Sequence, residues 1–540
     1  MSLNVKVLSH LAKVFPDKIF GEETKIIEGA KNQELAFQLA FSGEGEYEIA
    51  IISTIQNITI YKVGYIPSKL PIYEGVEDDN YLTYKPGLFP DALLPFDGKI
   101  VLEEGKNESL WFCLPKEDKP IGAHPISVAV MQDGKIVAEA SLEASIHPMT
   151  LPELDINFTQ WFHCDCIASV HGVEIYSEAH WALIEKYMRL ASEHGMNTIL
   201  TPVLTPPLDT EVGGERPTVQ LVDIELVDGE YRFGFDRLIR YANMARDCGI
   251  KTLEISHMFT QWGARFAPKV IATVDGEKKR IFGWDTNATD PEYVRFIRAF
   301  VPQIIDTLTG IGFKKENLLF HISDEPGLVD IENYRLAHDV LIPLVEGCGR
   351  IDALSNLEFY KNGLVKTPVV AINAIEPFMA EGATDLWGYY CCAQSREVSN
   401  RFFDMPSSRN RIIGTQIYKY GLKGFLQWGY NFYYSRFSKR TDLSPFEVSD
   451  ADGAFPSGDA FSVYPYGDDA LPSIRQKVFS YALDDYRLLK LVERKLGVLN
   501  THRIINAAAE MEITMKQYPR DDSFFDKLCR ACFDILEELE

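Results

Sequence analysis

Between residues 151 and 498, eight short apolar runs of strand type alternate with amphipathic stretches of helical type. This alternation is typical of βα units, whose consecutive strands lie parallel in one sheet. Eight units predict an α/β chain with a (β/α)8 TIM barrel, in which the chemistry takes place at the carboxyl ends of the strands. The predicted strands are 156–166, 197–204, 251–257, 317–323, 351–356, 368–373, 385–391 and 424–430. The predicted helices include 178–194, 235–248, 291–308, 331–346, 408–420 and 473–493.

The residues before the barrel have a different pattern. From about residue 5 to residue 147, short alternating runs are separated by Gly, Pro, Asp and Asn, and Asp133-Gly134 is a hairpin signal. This pattern predicts an N-terminal antiparallel β-sandwich over residues 1–150, followed by a proline-containing linker at 148–155. The barrel is assigned to residues 151–498, and residues 499–540 are predicted to form C-terminal helices that pack on it.

The acidic composition excludes two classes of partner. Lys and Arg number 54 and Asp and Glu number 78, which gives a formal net charge of −24. Such a charge repels phosphate backbones and anionic membrane surfaces. The sequence also lacks the run of about 20 uncharged apolar residues that a membrane-spanning helix requires. We therefore expect neither a nucleic acid nor a membrane partner, and the composition leaves the oligomeric state open.

The nine cysteines are odd in number and scattered along the chain, which favours reduced thiols. The first residues show no positively charged start followed by an apolar run and a cleavage site. On these grounds we expect a cytoplasmic protein. Cys529 and Cys532 have the spacing of a metal or redox pair, but no second cysteine pair accompanies them, and we interpret them as buried thiols on one helix face.

The fourth predicted strand ends in two adjacent acidic residues, Asp324 and Glu325, followed by Pro326 and Gly327. Neighbouring side chains of a regular strand point to opposite faces, so both carboxyls reach one cavity only if the chain leaves the sheet there. Pro326 and Gly327 favour that exit, and the proline biases Glu325 toward an extended backbone. A turn after a strand would explain the tripeptide equally well, but its position at a barrel strand end predicts a catalytic pair, one carboxyl ionised and one donating a proton.

Aromatic residues cluster at the ends of three other predicted strands. Sugar rings present flat C–H faces that stack on aromatic rings and leave their hydroxyls for polar neighbours. Packing inside the barrel explains any single ring better, whereas the whole set favours a carbohydrate-binding cavity. The residues of this group that are assigned to substrate binding are Trp161, Trp387, Tyr389, Tyr390, Trp428, Tyr430 and Asn431.

Three polar residues at predicted strand ends, His163, Glu254 and His257, are also assigned to substrate binding. His163 and His257, together with Asp165 and His321, offer imidazole and carboxylate ligands that could hold a metal ion. The fifth, sixth and eighth strands provide no His or Asp at the matching ends to complete such a site. We therefore predict no metal and no cofactor.

Several segments in the same order resemble glycoside hydrolase family 123, its catalytic domain and its leading sandwich. In the barrel these are SDEP at 323–326, LWGY at 386–389 and GFLQWGYN at 424–431. Segments 84–95 and 108–111 before the barrel, and 463–465, 473–475 and 484–489 late in it, are similar too. The resemblance spans nearly the whole chain and implies a glycosidase that acts on carbohydrate.

The resemblance also implies a mechanism, similar to that of the family 20 hexosaminidases. In a retaining β-N-acetylgalactosaminidase of this kind, the 2-acetamido oxygen of the substrate attacks the anomeric carbon in place of an enzyme nucleophile. Glu325 would protonate the leaving oxygen and later deprotonate water, while Asp324 would orient the acetamido N–H. The residues implied around the acetamido group and the ring are Trp387, Tyr389, Tyr390, Trp428 and Asn431.

Two alternatives remain open at this point. A glycosidase for non-acetamido sugars would keep Glu325 as the acid and take its nucleophile from another strand, with Glu254, Glu358 and Glu376 as candidates. A carbohydrate-binding protein on the same scaffold would bind sugar without turnover. Activity on paired 2-acetamido and 2-hydroxy glycosides separates the three possibilities.

Overall fold

The computed structural model describes residues 3–117 and 119–539. The strands before the barrel are β1 Asn4–Ser9, β2 Lys13–Val14, β3 Ile19–Phe20, β4 Ile26–Ala30, β5 Leu35–Ser42, β6 Gly45–Ser53, β7 Thr59–Ser68, β8 Gly87–Pro95, β9 Lys99–Leu102, β10 Asn107–Leu114, β11 Gly122–Gln132 and β12 Lys135–His147. They build two five-stranded sheets, in the orders β1-β5-β10-β7-β8 and β4-β12-β11-β6-β9. Pairing within the two sheets is antiparallel, as predicted, except for the parallel pair of β4 and β12.

Strand β10 of the sandwich is buried on both of its faces. Leu110 and Phe112 point into the core between the two sheets, whereas Trp111 and Cys113 on the opposite face belong to the core shared with the barrel. Because side chains alternate along a strand, one sheet is buried on both faces. The sandwich and the barrel therefore share a continuous apolar contact.

The strands from residue 157 onward include the predicted barrel. They are β13 Asn157–Gln160, β14 Thr198–Thr201, β15 Asp223–Val227, β16 Glu230–Gly234, β17 Thr252–Ile255, β18 Val270–Val274, β19 Glu277–Phe282, β20 Leu318–Phe320, β21 Gly349–Ala353, β22 Thr367–Ala371, β23 Trp387–Tyr389, β24 Gly424–Gln427, β25 Val463–Tyr466 and β26 Asp469–Pro472. Eight of them form one parallel sheet in the order β13-β24-β23-β22-β21-β20-β17-β14. These eight coincide with the eight predicted runs, and the TIM barrel is confirmed.

Asn197 bridges the seam between β13 and β14. Its backbone N–H donates to the carbonyl of Phe158 at 3.2 Å, and its side-chain oxygen accepts from the Phe158 N–H at 2.9 Å. Its side-chain amide also donates to the carbonyl of Ile156 at 2.8 Å. An asparagine thus satisfies the backbone groups where the two edge strands meet.

The helices largely follow the predicted amphipathic stretches. They are α1 Cys164–His171, α2 Glu178–Glu193, α3 Asp236–Asp247, α4 Pro291–Gly310, α5 Ile331–Leu341, α6 Leu357–Lys361, α7 Ile375–Ala380, α8 Ser407–Arg411, α9 Ile413–Tyr420, α10 Ile474–Leu496, α11 Val498–Ala509 and α12 Ser523–Glu538. None of the described helices combines the length and the apolar character needed to cross a bilayer. Cys529 and Cys532 lie buried in α12, and all nine cysteines are free.

Two features of the barrel differ from the prediction. The first strand ends at Gln160 and α1 begins at Cys164, so the predicted strand 156–166 is too long. In addition, two hairpins inserted after β14 and β17 pair into a separate four-stranded sheet, in the order β16-β15-β18-β19. Their turns carry Asp228-Gly229 and Asp275-Gly276, all four residues with φ between 52° and 81°. Asp-Gly at such turns is a strong hairpin signal, which the βα pattern around it concealed.

Segment 69–86, which connects β7 to β8, reaches from the sandwich to the loops at the carboxyl face of the barrel. Asp78 forms a two-pronged ion pair with Arg409 at 2.8 Å for both contacts. The hydroxyl of Tyr73 donates to the carbonyl of Ala454 at 2.7 Å, next to the candidate site described below. The first domain therefore supports the loops from which the site is built.

Candidate active site

The chain leaves the barrel sheet directly after β20, and this exit presents Asp324 and Glu325 together. Glu325 has φ 43°, a left-handed backbone rather than the extended one expected before Pro326. Its N–H donates to the carbonyl of Ala353 on β21 at 2.9 Å, which pins the turn to the neighbouring strand. A non-glycine residue with positive φ is strained, and such strain clusters at functional sites. Both carboxyls line the same cavity.

This cavity opens at the carboxyl end of the barrel and encloses about 670 Å³ of empty space, part of it continuous with solvent. The walls combine aromatic and apolar side chains with a few carboxyls. The lining residues are Trp161, His163, Leu208, Asp209, Gln261, Trp262, Asp324, Glu325, Ala353, Tyr389, Cys391, Cys392, Leu426, Trp428 and Phe455.

Asp324 is the deeper of the two acids. Its side chain is 9% exposed, and its carboxyl forms no hydrogen bond with the residues that the structure describes. Burial, and after it the neighbouring charge of Glu325, raises the pKa of Asp324 well above the ordinary value, with His321 opposing the shift. Its carboxyl oxygens therefore remain available for a polar group inside the cavity.

Glu325 is exposed and lies nearer to the opening. The hydroxyl of Tyr389 donates to its Oε1 at 2.5 Å, and Ser355 contacts the same hydroxyl at 3.4 Å. Burial, followed by the charge of Glu325, raises the pKa of Tyr389 well above its ordinary value, so the hydroxyl stays a donor. One oxygen of Glu325 is thus oriented by Tyr389, and the carboxyl reaches the cavity.

Two tryptophans of the wall are fixed through their indole N–H groups. Trp161 donates to Glu254 at 2.7 Å, and Trp428 donates to Asp459 at 3.0 Å. Burial raises the pKa of Asp459 to about 7, against the lowering effect of Arg401. Because both nitrogens are occupied by protein, these rings offer mainly their apolar faces to a ligand.

Below the aromatic wall lies a buried charged group of three residues, Glu254, His321 and Asp352. His321 contacts Glu254 at 2.7 Å and Asp352 at 3.5 Å, and burial would lower its pKa, but Asp352 and Glu254 raise it to about 9. His257 stacks on His321 with ring centroids 4.1 Å apart. Burial, and then the charge of His321, lowers the pKa of His257 far below its ordinary value.

Six predicted substrate-binding residues lie behind the wall instead of on it. Glu254 and His257 belong to the buried group just described. Trp387 fills the barrel interior against Gly424, where an added Cβ would lie 2.2 Å from its ring. Tyr390 and Tyr430 are fully buried and bond Asn410 and the carbonyl of Tyr187 respectively. These residues are packed too tightly to meet a ligand directly.

Asn431, the sixth of these residues, forms hydrogen bonds with the backbone of His163. Its side-chain oxygen accepts from the His163 N–H at 2.9 Å, and its amide donates to the His163 carbonyl at 3.1 Å. This pairing ends the strand and turns the chain into α1. The His163 side chain thereby lies in the cavity wall. The sequence analysis had predicted one long strand through this position.

Two of the residues considered for a metal site, Asp165 and His163, are engaged by an arginine. Arg216 holds Asp165 in a buried ion pair at 2.8 and 2.9 Å and contacts His163 Nδ1 at 3.1 Å. Burial, followed by the charge of Arg216, lowers the pKa of His163 to about 3. Within residues 3–117 and 119–539, no three His, Cys, Asp or Glu side chains are grouped so as to hold a metal ion.

Asp209, Gln261 and Trp262 are among the lining residues that were not predicted. Asp209 accepts from the N–H of Phe437 at 3.0 Å, and Gln261 accepts from the N–H of Asp209 at 2.8 Å. Burial raises the pKa of Asp209 to about 6. They lie in loops without periodicity, but the tripeptide Thr-Gln-Trp occurs at 159–161, at the end of β13, and again at 260–262, in the loop after β17. That repetition was the available signal.

The family model for the glycoside hydrolase 123 catalytic domain matches residues 161–492. A solved family 123 glycoside hydrolase from Clostridium perfringens, described for glycolipid glycan hydrolysis, is similar over 99% of this chain and 98% of its own, with a TM-score of 0.73 and 13% identity. A Bacteroides ovatus GH5 xyloglucanase in complex with a XXXG heptasaccharide covers 89% of this chain and 100% of its own, with a TM-score of 0.32 and 9% identity. No curated protein matches this chain.

Proposed function

This chain belongs to glycoside hydrolase family 123, and on that premise we propose that it is a retaining, exo-acting β-N-acetylhexosaminidase, most simply a β-N-acetylgalactosaminidase. Family membership implies a glycosidase with a carbohydrate substrate. The finer assignment is supported by one observation above all: Asp324 and Glu325 are sequence neighbours in one cavity, and Asp324 has an unoccupied carboxyl.

The position of the two acids favours a nucleophile supplied by the substrate. In the common glycosidases two carboxyls flank the scissile bond, about 5–5.5 Å apart for retention and about 6.5–9.5 Å for inversion. Asp324 and Glu325 are adjacent on one turn, so both approach the sugar from the same side and cannot flank the scissile bond. The other acidic residue among the described lining is Asp209, and its carboxyl already accepts from the Phe437 N–H.

In the proposed reaction, the acetamido N–H donates to Asp324, which favours the ionised form of that carboxyl and opposes the rise in its pKa, so Glu325 is the acid that carries the proton. Glu325 donates this proton to the glycosidic oxygen while the bond from that oxygen to the anomeric carbon breaks. The carbonyl oxygen of the 2-acetamido group forms a bond to the anomeric carbon and gives an oxazolinium ion. Asp324 accepts a hydrogen bond from the acetamido N–H, whose positive charge grows in this step. Glu325 then removes a proton from water, whose oxygen attacks the anomeric carbon and restores the acetamido group with retention.

The alternative that relied on Glu254, Glu358 or Glu376 as nucleophile loses support. Glu254 is fully buried, bonded by Thr159, Trp161 and His321, and Glu358 and Glu376 lie in α6 and α7 outside the lining. A non-catalytic binding protein would need only the aromatic walls. It would not require the strained turn that places Glu325 beside Asp324.

A pair of substrates tests the proposal. We expect hydrolysis of an aryl 2-acetamido-2-deoxy-β-D-galactoside and none of the matching aryl β-D-galactoside, together with inhibition by a thiazoline that mimics the oxazoline. Turnover of the 2-hydroxy glycoside without its 2-acetamido counterpart would contradict the proposal. Binding of the thiazoline without turnover of either glycoside would instead identify a carbohydrate-binding protein.

Two substitutions separate the roles of the acids. Glu325→Gln should lower kcat about 10²–10⁴-fold for poor leaving groups and much less for a glycosyl fluoride, because fluoride needs little protonation. Asp324→Asn should lower kcat on the acetamido sugar and weaken the binding of the thiazoline inhibitor. Measurements of kcat and of the inhibition constant check both, and a change below tenfold for Glu325→Gln on a poor leaving group would refute its assignment.

We also propose a cytoplasmic location for this protein. The nine thiols are free, and burial contributes to a raised pKa in eight of them, which supports a reducing compartment. Fractionation of cells that produce the protein, with antibody detection, tests this. Recovery outside the cytoplasmic fraction would contradict it.

A further inference from the structure

Trp262 differs from the other aromatic residues of the cavity in its exposure. Trp161 and Tyr389 are 4% and 6% exposed, whereas Trp262 is 44% exposed and still lines the cavity. The buried rings therefore form the interior wall, and Trp262 lies at the rim. A large exposed apolar side chain beside a cavity is a common mark of a binding surface.

The backbone holds Trp262 in place at some energetic cost. Trp262, Gly263 and Ala264 have φ of 58°, 129° and 53°, and a Cβ added at Gly263 would lie 2.5 Å from Asp330. The N–H of Trp262 donates to the carbonyl of Asp324 at 2.7 Å. A bulky residue with positive φ is a genuine outlier, and here the strained turn is tied to the catalytic pair itself.

A second strained residue supports the ring. Phe437, with φ 59°, packs edge-on against Trp262 with ring centroids 5.9 Å apart. The Phe437 N–H in turn donates to Asp209 in the cavity wall. Phe437 therefore supports the position of Trp262 without stacking parallel to its face.

The orientation of the sugar relative to this rim can be inferred from the two acids, because Asp324 is buried and Glu325 is exposed. Asp324, the deeper residue, would receive the acetamido group, and the exposed Glu325 would receive the glycosidic oxygen, so the leaving group emerges at the opening. Resting on the proposed function, we propose that Trp262 is the stacking platform of a leaving-group subsite for a neutral hexopyranose ring. The lining contains three carboxyl-bearing residues, Asp209, Asp324 and Glu325, and neither Lys nor Arg, which disfavours a uronic acid.

The test compares substrates that share the 2-acetamido-2-deoxy-β-D-galactosyl group and differ in the leaving group: fluoride, neutral galactose and glucuronic acid. For Trp262→Ala we expect the ratio of kcat/KM for the galactose disaccharide to that for the fluoride to fall about tenfold, the scale of one lost aromatic contact. Trp262→Phe, which keeps a flat ring, should restore most of the ratio. In the wild type, kcat/KM should be lower for the disaccharide with glucuronic acid as leaving group than for the disaccharide with galactose.

Tyr466, which is 49% exposed and outside the cavity lining, provides a matched control. Tyr466→Ala should leave the ratio within twofold of the wild type. An unchanged ratio in Trp262→Ala, with the thermal midpoint preserved, would overturn the subsite while leaving the proposed function intact. Absence of turnover of the glycosyl fluoride by the wild type would instead refute the proposed function.

Discussion

At the scale of single residues, the charged group beneath the cavity depends on one proton. His321 bridges Glu254 and Asp352, and Glu254 in turn holds the indole of Trp161. A neutral imidazole would leave two buried carboxylates without a cation between them. The protonated state of His321 therefore stabilises the floor of the site.

This arrangement predicts a loss of stability at alkaline pH. The folded pKa of His321, about 9, lies above the ordinary value of 6.5, so its contribution is complete below pH 6.5 and is lost as pH rises through 9. The difference corresponds to a free energy of unfolding on the order of 3 kcal/mol. Urea unfolding of wild type and His321→Gln between pH 6 and pH 9.5 measures it. The two curves should converge toward high pH, and a constant offset would contradict the prediction.

How much of the cavity could be predicted from the sequence depends on whether a residue lies near the end of a barrel strand. Asp324 and Glu325 follow β20 after three residues, so their position at the cavity could be inferred from the barrel alone, and their catalytic roles stay predictions. Trp387 and Tyr389 are separated by one residue, yet Trp387 fills the barrel and Tyr389 contacts Glu325. Which aromatic ring packs and which lines the wall depends on tertiary neighbours that periodicity does not encode.

At the scale of elements, the exit from β13 depends on a side chain from after β24. Asn431 satisfies both backbone groups of His163 in a fully buried place. The periodicity gave the position of the strand but not its end, because the end is set by this distant partner. The inserted hairpins were missed for a related reason: their residues lie between two barrel strands and pair with each other.

Asn431→Ala should destabilise the fold and reduce activity. The His163 N–H would lose its partner without access to water, at about 1–3 kcal/mol, whereas the His163 carbonyl would keep the N–H of Ile167 at 3.3 Å. Asn500→Ala, which removes an exposed amide at a helix turn, is the matched control. Chemical unfolding of both variants checks this, and equal free energies of unfolding would show that water replaces the Asn431 amide.

At the scale of the whole molecule, buried ion pairs join the sandwich to the barrel. Asp91 on β8 binds Arg475 on α10 through two contacts of 2.8 Å, and Arg475 also donates to two carbonyls of the barrel loops. Glu34 binds Lys477 of the same helix at 2.9 Å. These pairs fix the two domains against each other.

Asp91→Asn should lower the free energy of unfolding by about 3–5 kcal/mol, because it leaves the Arg475 guanidinium buried without its counter-ion. The exposed pair of Glu46 and Lys99 provides the contrast, and Glu46→Gln should leave the free energy of unfolding nearly unchanged, because solvent screens the pair. Urea unfolding of the two variants gives both values. Similar losses in the two would indicate that the interface is hydrated.

The segment that connects β7 to β8 has a practical consequence for anyone who wishes to dissect this enzyme. A truncated chain that starts at residue 151 would lack Glu34, Asp78 and Asp91, and three buried cations of the barrel would lose their carboxylate partners at once. Such a fragment should be insoluble or poorly folded, even though it contains both acids and every ring of the cavity. We therefore expect the barrel to need the sandwich in order to fold, and soluble expression of residues 151–540 with a cooperative thermal transition would contradict this.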